Sequence, residues 1–365
     1  MKINTFKAVF PKVDLIASPN SFFASIKFQY REYRSSGVYR ATENEGFYIY
    51  QIKSEYGIHT GLLCGTSVSD LRNHKMLKHE KTLAAKEQQM MHLIMQRQAL
   101  VKPVLLGYHP KGKLHEEFLE ITQSEKPEVD LKLEDGERHR LWSITDFTKI
   151  ERIEKSFAKL EKAYIGDGHH RTTTVALLSE SEELGKEAKK YNSILTAYFP
   201  FNQLQIWDYN RVVDITDIMP ASQFIAELSS YFNIKKLKKA RKPKKKHEIT
   251  FYIDEVWYAL NWKKKFITSK KKVLLDSALI NKHIFTDILG IEDIRTDSRI
   301  KYYGGVEPLS KIVKQSDKMI CGIGLCIYPV AVNELTELAD KGKTLPPKST
   351  WFTPRLKSGI IAKDL

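Results

Sequence analysis

The sequence predicts an α+β protein of mixed and antiparallel sheets flanked by helices, and three observations predict it. Stretches mixing β-branched and aromatic residues recur between turn formers, as in GFYIYQI at 46–52 and HTGLLCGTSV at 59–68. Helix-forming stretches with a single apolar stripe lie between them, the longest at 80–101. A glycine turn, GDGHHR at 166–171, joins a strand-like run to a helix-like one in the central part of the chain.

Taken in order, the first two strands form a hairpin turning near Glu55 and Gly57. The helix at 80–101 buries Leu83, Met90, Met91, Ile94 and Met95, and Pro103 closes it. A strand at 104–108 follows, then a polar, turn-rich stretch at 111–135. In RHRLWSI at 138–144, strand alternation sets Arg138 and Arg140 on one face and His139 on the other. An amphipathic helix at 150–162 leads into the glycine turn. Beyond it, ILTAYFPF at 194–201 and LQIWDYNRVV at 204–213 read as a second hairpin across Asn202 and Gln203. Helices are expected at 221–232, 275–289 and 332–342, with strands at 250–253, 257–262 and 320–327. The expected domains are 1–190 and 191–365, both α+β, with the tail of the second packing back toward the site of the first.

Composition narrows the function classes. The 365 residues are 42% hydrophobic and 11% aromatic, enough for a sizeable core. Cys64, Cys321 and Cys326 show neither CxxC nor Cys/His spacing, so no disulfide framework or zinc knuckle is supported and a cytoplasmic location is expected. The N-terminus lacks an apolar core of signal-peptide length, and the longest nearly apolar run, 319–332, is too short to span a bilayer, so no membrane partner is expected. More than half of the formal charge of +15 sits in KKLKKARKPKKK at 235–246, nine basic residues without interleaved aromatics. That composition suits a solvated connecting loop, with nucleic acid the alternative partner.

The glycine turn concentrates the chemistry. Gly166 and Gly168 allow positive φ and close approach of a ligand to the backbone, and a helix start attracts an anion. His169, His170 and Arg171 would hold phosphate there, or position the carboxylate of Asp167; the structural alternative is a turn whose imidazoles merely cap the backbone. Lys78, His79, Glu80 and Thr82 stand where a loop enters the long helix, either as a base, a carboxylate and a hydroxyl for chemistry or as an N-cap. Arg211, in Asp208-Tyr209-Asn210-Arg211, would reach the same cleft or belong to a turn stabilised by Asn210. Lys348, Ser349, Thr350, Trp351 and Lys357 suit either ligand contact or docking of the C-terminus.

These motifs occur in an order that resembles a known family. KHEKT (78–82), GERHRLW (136–142), GDGHHR (166–171), DYNRVV (208–213), RTD (295–297) with Gly304 and Gly305, and LPPKSTWFTPRLKSG (345–359) are similar to the motif set of the family called domain of unknown function 1015. Where that family carries a Pro-Tyr-Asp segment, this chain has Ser18, Pro19, Asn20, Ser21 and Phe22. The GDGHHR turn also resembles the phosphate-binding turn of the ParB and sulfiredoxin superfamily, which includes free serine kinases.

The resemblance implies a small-molecule phosphoryl-transfer enzyme with a serine kinase-like activity, using ADP or ATP with Mg. The alternatives are a phosphatase acting on a phosphorylated metabolite such as phosphoserine, and a nucleotide-sensing or nucleic-acid-binding regulator. Asp167, Glu80 and His79 would act catalytically. Gly166, Gly168, His169, His170, Arg171, Arg211 and Lys78 would bind a nucleotide or phosphorylated small molecule, and Asp167 would also be the ligand of a divalent cation. No GxxxxGK[ST] loop, protein-kinase motif set or GxSxG elbow is present, and no cysteine stands near the turn for sulfiredoxin-type chemistry.

Overall fold

A computed structural model describes residues 1–268 and 273–365. The chain forms two compact units, Met1–Gln205 with Thr353–Leu365, and Ile206–Phe352. Both mix helices and sheets, and the fold is α+β.

The first unit is built on a nine-stranded mixed sheet. Its strands in chain order are β1 (Ile3–Asn4), β2 (Phe47–Ser54), β3 (Gly57–Ser67), β4 (Met76–Leu77), β5 (Val104–Tyr108), β6 (Val129–Lys132), β7 (Arg138–Ile144), β8 (Ala163–Asp167) and β9 (Ser193–Pro200). They lie in the order β4-β8-β5-β9-β3-β2-β7-β6, with β1 on β3. The hairpin of β2 and β3 turns at Glu55 and Tyr56, because Ser54 pairs with Gly57. Only β4 with β8 and β5 with β9 run parallel, and these pairs frame the end of the sheet that carries the glycine turn.

The longer helices of this unit are α1 (Pro19–Ser35), α2 (Ala84–Arg97), α3 (Leu114–Ser124), α4 (Phe147–Ala158) and α5 (His169–Ser179). Helix α2 begins at its N-cap Leu83, so Lys78 to Thr82 form an extended loop rather than a helix start, and Leu83 makes no side-chain cap. Tertiary contacts hold that loop out of the helix: the Lys78 ammonium donates to Thr173 Oγ1 and the His79 N–H reaches His169. Two helices escape the sequence reading. Helix α1 has Pro19 in its first turn and buries Phe22, Phe23, Ile26 and Tyr30, a helical spacing. Helix α3 lies inside the polar stretch at 111–135 and buries Phe118. Asn20, in the segment that departs from Pro-Tyr-Asp, donates to Glu134 at 2.8 Å.

The expected second hairpin does not form. Strand β9 pairs with β3 and β5 in the first sheet, while residues 209–214 enter the sheet of the second unit. Between them, Phe201–Gln203 makes a 3-10 turn with Phe201 buried.

The second unit carries a six-stranded antiparallel sheet of β10 (Tyr209–Asp214), β11 (Phe232–Lys236), β12 (Glu248–Ile253), β13 (Val256–Trp262), β14 (Ile300–Gly304) and β15 (Gly322–Ile327), in the order β11-β13-β12-β15-β10-β14. Its helices include α6 (Ala221–Tyr231), α7 (Leu309–Ser316) and α8 (Val332–Asp340). The expected helix at 275–289 is an α-helical turn, Asp276–Ile280, continued as a π-helix over Asn281–Thr286. Val213, Phe224, Phe251, Ile284 and Leu325 form the larger core layer, and Val212, Tyr252, Trp257 and Ile312 pack on the opposite face.

The basic run 235–246 spans the end of β11 and the loop to β12, and its charges are partly satisfied locally. Arg241 pairs with Glu248 at 2.5 Å, Lys246 pairs with Glu334, and the Lys242 ammonium donates to the Gly305 carbonyl. The three cysteines are free and buried. Among the described residues no helix is long and apolar enough to cross a membrane.

Close strand approach makes one glycine a stability test. A Cβ on Gly61 of β3 would stand 2.5 Å from the Tyr198 carbonyl oxygen and 2.8 Å from the Phe199 ring. Gly61→Ala is expected to cost about 1–3 kcal/mol through overpacking, read as a lower urea midpoint.

Candidate functional site

The site grows from the junction of β8 and α5. Tyr164 and Ile165 pair with Gly107 and Leu106, but the next paired residue is Asp167, opposite Leu105. Gly166 is thus the extra residue of a bulge, which twists the strand end and re-aims Asp167. Gly168 caps α5 with φ of 106°, in left-handed backbone that a side chain rarely adopts.

The Arg171 guanidinium folds back across Gly168. A Cβ there would lie 2.6 Å from Arg171 Nη2. In that position Nη2 donates to Asp167 Oδ2 at 2.8 Å and to the Pro103 carbonyl at 3.2 Å. The Lys102 ammonium stands 3.8 Å from Oδ2, and Arg355 Nη1 stands 3.8 Å from Oδ1.

Removal from water alone would raise the Asp167 carboxyl; Arg171, Lys102 and Arg355 outweigh it and hold the group well below the usual carboxylate range. Burial, with repulsion from Arg171 and Arg355, pushes Lys102 down to about 8. One carboxylate therefore organises three cations at the positive end of a helix, and the excess positive charge favours an anion.

The other side of the turn is an imidazole cluster. His169 and His79 are buried and their rings meet nearly edge-on, with centroids 4.5 Å apart. Desolvation pushes His79 down to about 4, and desolvation with the neighbouring His79 lowers His169 well below the ordinary value, so both rings are neutral at pH 7. The His79 backbone N–H lies 3.5 Å from His169 Nε2 and Glu80 Oε2 lies 3.6 Å from its Nδ1. This arrangement assigns the His169 proton to Nδ1, facing Glu80, since Nε2 meets a donor. Lys78 is lowered by burial, opposed by Glu87. His170 is half-buried and lowered by burial and then by Lys86.

Nine of the ten residues singled out by the sequence thus lie in the first unit around one turn: Lys78, His79, Glu80, Gly166, Asp167, Gly168, His169, His170 and Arg171. Arg211 belongs to β10 of the second unit. It is fully buried, donates from Nη1 to the Tyr209 carbonyl at 2.5 Å and from Nη2 to the Lys348 carbonyl at 3.2 Å, and lies over the Tyr302 ring. These contacts tie residue 348 to the sheet of that unit, where Trp351 also packs against Tyr209. The neighbouring Asp208 is raised to about 6 by burial.

Sequence reasoning missed Lys102 and Arg355. Arg355 stands inside the quoted terminal motif and was open to discovery; Lys102 lies in no motif, and only the position of Pro103 beside Arg171 brings it in. His139 of GERHR sits elsewhere in the first unit, buried, with the Tyr50 hydroxyl 2.8 Å from its Nδ1. Among the described residues no group of three or more His, Cys, Asp and Glu side chains is arranged to hold a metal ion. The cations crowding Asp167 weigh against a divalent ion on its carboxylate, because Arg171 already bonds Oδ2 and all three repel a further positive charge.

A family model described as protein of unknown function (DUF1015) matches residues 2–281. The chain belongs to the DUF1015 family. The match includes the KHEKT, GERHRLW, GDGHHR and DYNRVV segments of this DUF1015 protein, and ends before RTD and the terminal motif. No curated protein matches the sequence. Solved structures similar to this DUF1015 protein include SbnI with a C-terminal truncation from Staphylococcus aureus, at 12% identity and a TM-score of 0.42 over 81% of this chain and 85% of that one. A free serine kinase variant in complex with ADP is similar at 10% identity and a TM-score of 0.42, over 82% of this chain and 92% of that one. A conserved hypothetical protein from Pyrococcus furiosus is similar at 12% identity and a TM-score of 0.39, over 83% and 94% of the two chains.

Two outcomes test this geometry. Gly168→Ala is expected to displace the Arg171 guanidinium from Asp167 and to cost about 1–2 kcal/mol for the left-handed backbone, measured by denaturant melts and a crystal structure of the variant. The second concerns pH. Unfolded His79 takes up a proton near the ordinary pKa of 6.5 and the folded protein only near about 4, so the unfolded state binds more protons in that window. Stability through His79 is therefore intact above pH 6.5 and falls as the pH drops toward 4; His79→Gln should flatten that slope in urea melts between pH 7 and 4.5.

Proposed function

We propose that the GDGHHR turn holds phosphate and that this DUF1015 protein transfers a phosphoryl group between a nucleotide and a small hydroxyl acceptor. The observation that carries this reading is the set of three cations, Lys102, Arg171 and Arg355, around the single carboxylate of Asp167 at the N-terminus of α5. Charge in phosphoryl transfer spreads over the equatorial oxygens, and fixed donors already aimed at them need no reorganisation during the step. Arg171, Lys102 and Arg355 supply positive charge, and the first amides of α5 lack intrahelical acceptors of their own.

Asp167 serves here as the organiser of these cations. Glu80 is the acceptor-activating group: its carboxylate faces His169, whose neutral Nδ1–H orients it. As the acceptor oxygen bonds to phosphorus, the bond from phosphorus to the bridging oxygen of the nucleotide breaks and the acceptor proton passes to Glu80. His79 keeps His169 in this tautomer through its backbone N–H, a positioning role. Mg would travel on the phosphates of ADP or ATP, since the donor set around Asp167 does not suit it. Free serine is the first acceptor to test, and phosphoserine the first substrate for the reverse or hydrolytic direction.

The test incubates the protein with serine and either ADP or ATP plus Mg, and separately with phosphoserine. Phosphoserine formation is expected, with Glu80→Gln lowering kcat by about 10²-fold or more and Arg171→Ala weakening nucleotide binding by about tenfold or more. No transfer with any nucleotide, or full activity in both variants, would remove this reading. Phosphate release from phosphoserine without nucleotide would replace it with a phosphatase.

A further inference from the structure

The first unit holds a cavity of about 190 Å³ beside the glycine turn. Its walls are apolar: Met90 and Ile94 of α2, Val175 of α5 and Leu195 of β9 face it, among others. Its charged lining is of one sign. Lys27, Arg97, Lys102 and Arg171 contribute to it, and no carboxylate does.

Arg97 is the informative member. It is the last residue of α2, only 8% exposed, and its one side-chain hydrogen bond among the described residues runs from Nη1 to the Lys27 carbonyl at a long 3.4 Å. Burial first and Arg171 second push it down to about 10. A nearly buried guanidinium with one long hydrogen bond, on a cavity whose other charged lining is also positive, calls for an acceptor.

We propose that this cavity binds a small carboxylate with a compact apolar body, its carboxylate against the guanidinium groups of Arg97 and Arg171 and its body among Met90, Ile94, Val175 and Leu195. A dry cavity of about 150 Å³ takes a benzene ring, so a body of roughly six to nine carbon atoms fits. A carboxylate suits the place better than a phosphate: it carries one charge and needs few donors, whereas a phosphate would leave oxygens against the apolar wall. The proposal goes beyond phosphoryl transfer and requires no chemistry at Glu80.

Isothermal titration of the full chain with phenylacetate and 4-methylpentanoate tests it, with phenylacetamide, acetate and phenyl phosphate as comparisons. Both apolar-bodied carboxylates are expected to bind, and the amide and acetate at least about tenfold more weakly, since one lacks the charge and the other the body. Arg97→Gln should weaken phenylacetate by about tenfold or more, with Arg97→Lys intermediate. Leu195→Phe, which fills the cavity, should abolish binding. Equal binding of the amide, preference for phenyl phosphate, no binding by either carboxylate, or an Arg97→Gln variant that folds and binds normally would overturn the assignment. If Arg97→Gln does not fold by circular dichroism, Leu195→Phe and the ligand series on the unaltered protein decide it: binding that survives the filled cavity overturns the site.

Discussion

The ion pair between Arg171 and Asp167 across Gly168 is the constraint on which the rest of the site depends. Asp167 ends a strand in a place poor in water, where an unpartnered carboxylate would be costly. Arg171 meets it one helical turn later only because Gly168 leaves room for the guanidinium and adopts the backbone that starts α5 at that angle. Gly166, as the bulge residue, sets the direction of the carboxylate. Each part of GDGHHR except the two imidazoles is accounted for by this one pair.

The pair also explains the C-terminal segment. Arg355 reaches Asp167 from residues that follow the second unit, and the segment is held to the first by several ties. The Tyr39 hydroxyl donates to the Gly359 carbonyl at 2.6 Å, Gly359 N–H donates to the Val101 carbonyl at 2.6 Å, and Lys363–Asp364 pairs with Ala99–Leu100. The strand Ala99–Leu100 lies just before Lys102, so the same docking positions two of the three cations. Lys102, Arg171 and Arg355 repel one another, and only the shared carboxylate makes their proximity affordable. An anion entering there would add negative charge where it is short, which is the basis of the proposed phosphate site.

The two sides of the turn differ in what they can do. Around Asp167 the field is fixed and positive. Around His169 it is nearly neutral, because burial keeps both imidazoles uncharged and the tautomer of His169 follows from the backbone N–H of His79. The proposed transfer uses this difference, with phosphate on the positive side and the Glu80 carboxylate on the neutral one. The strand–turn–helix geometry of GDGHHR was legible from its residue types, since the two glycines mark the junction between an apolar run and a helix-forming one. The surroundings of Arg211 were not legible: it contacts Tyr209, Lys348 and Tyr302 in the second unit, and a basic residue after a strand carries no information about which sheet that strand joins.

Local patterns accordingly determined the α+β class, the hairpin of β2 and β3, the helix–turn character of GDGHHR and the order of the motifs, because each rests on residues close in the chain. They determined less where tertiary contacts compete with propensity. Residues 78–82 read as the start of a helix and are an extended loop, because His169 and Thr173 bind that loop from another helix. Runs 194–201 and 204–213 read as one hairpin and join different sheets, because strand pairing over long distances outweighs a short connecting turn. Only the tertiary structure brought Lys102 and Arg355 to Asp167 and set Arg97 on the cavity, for charges that meet across a fold leave no periodicity in the sequence.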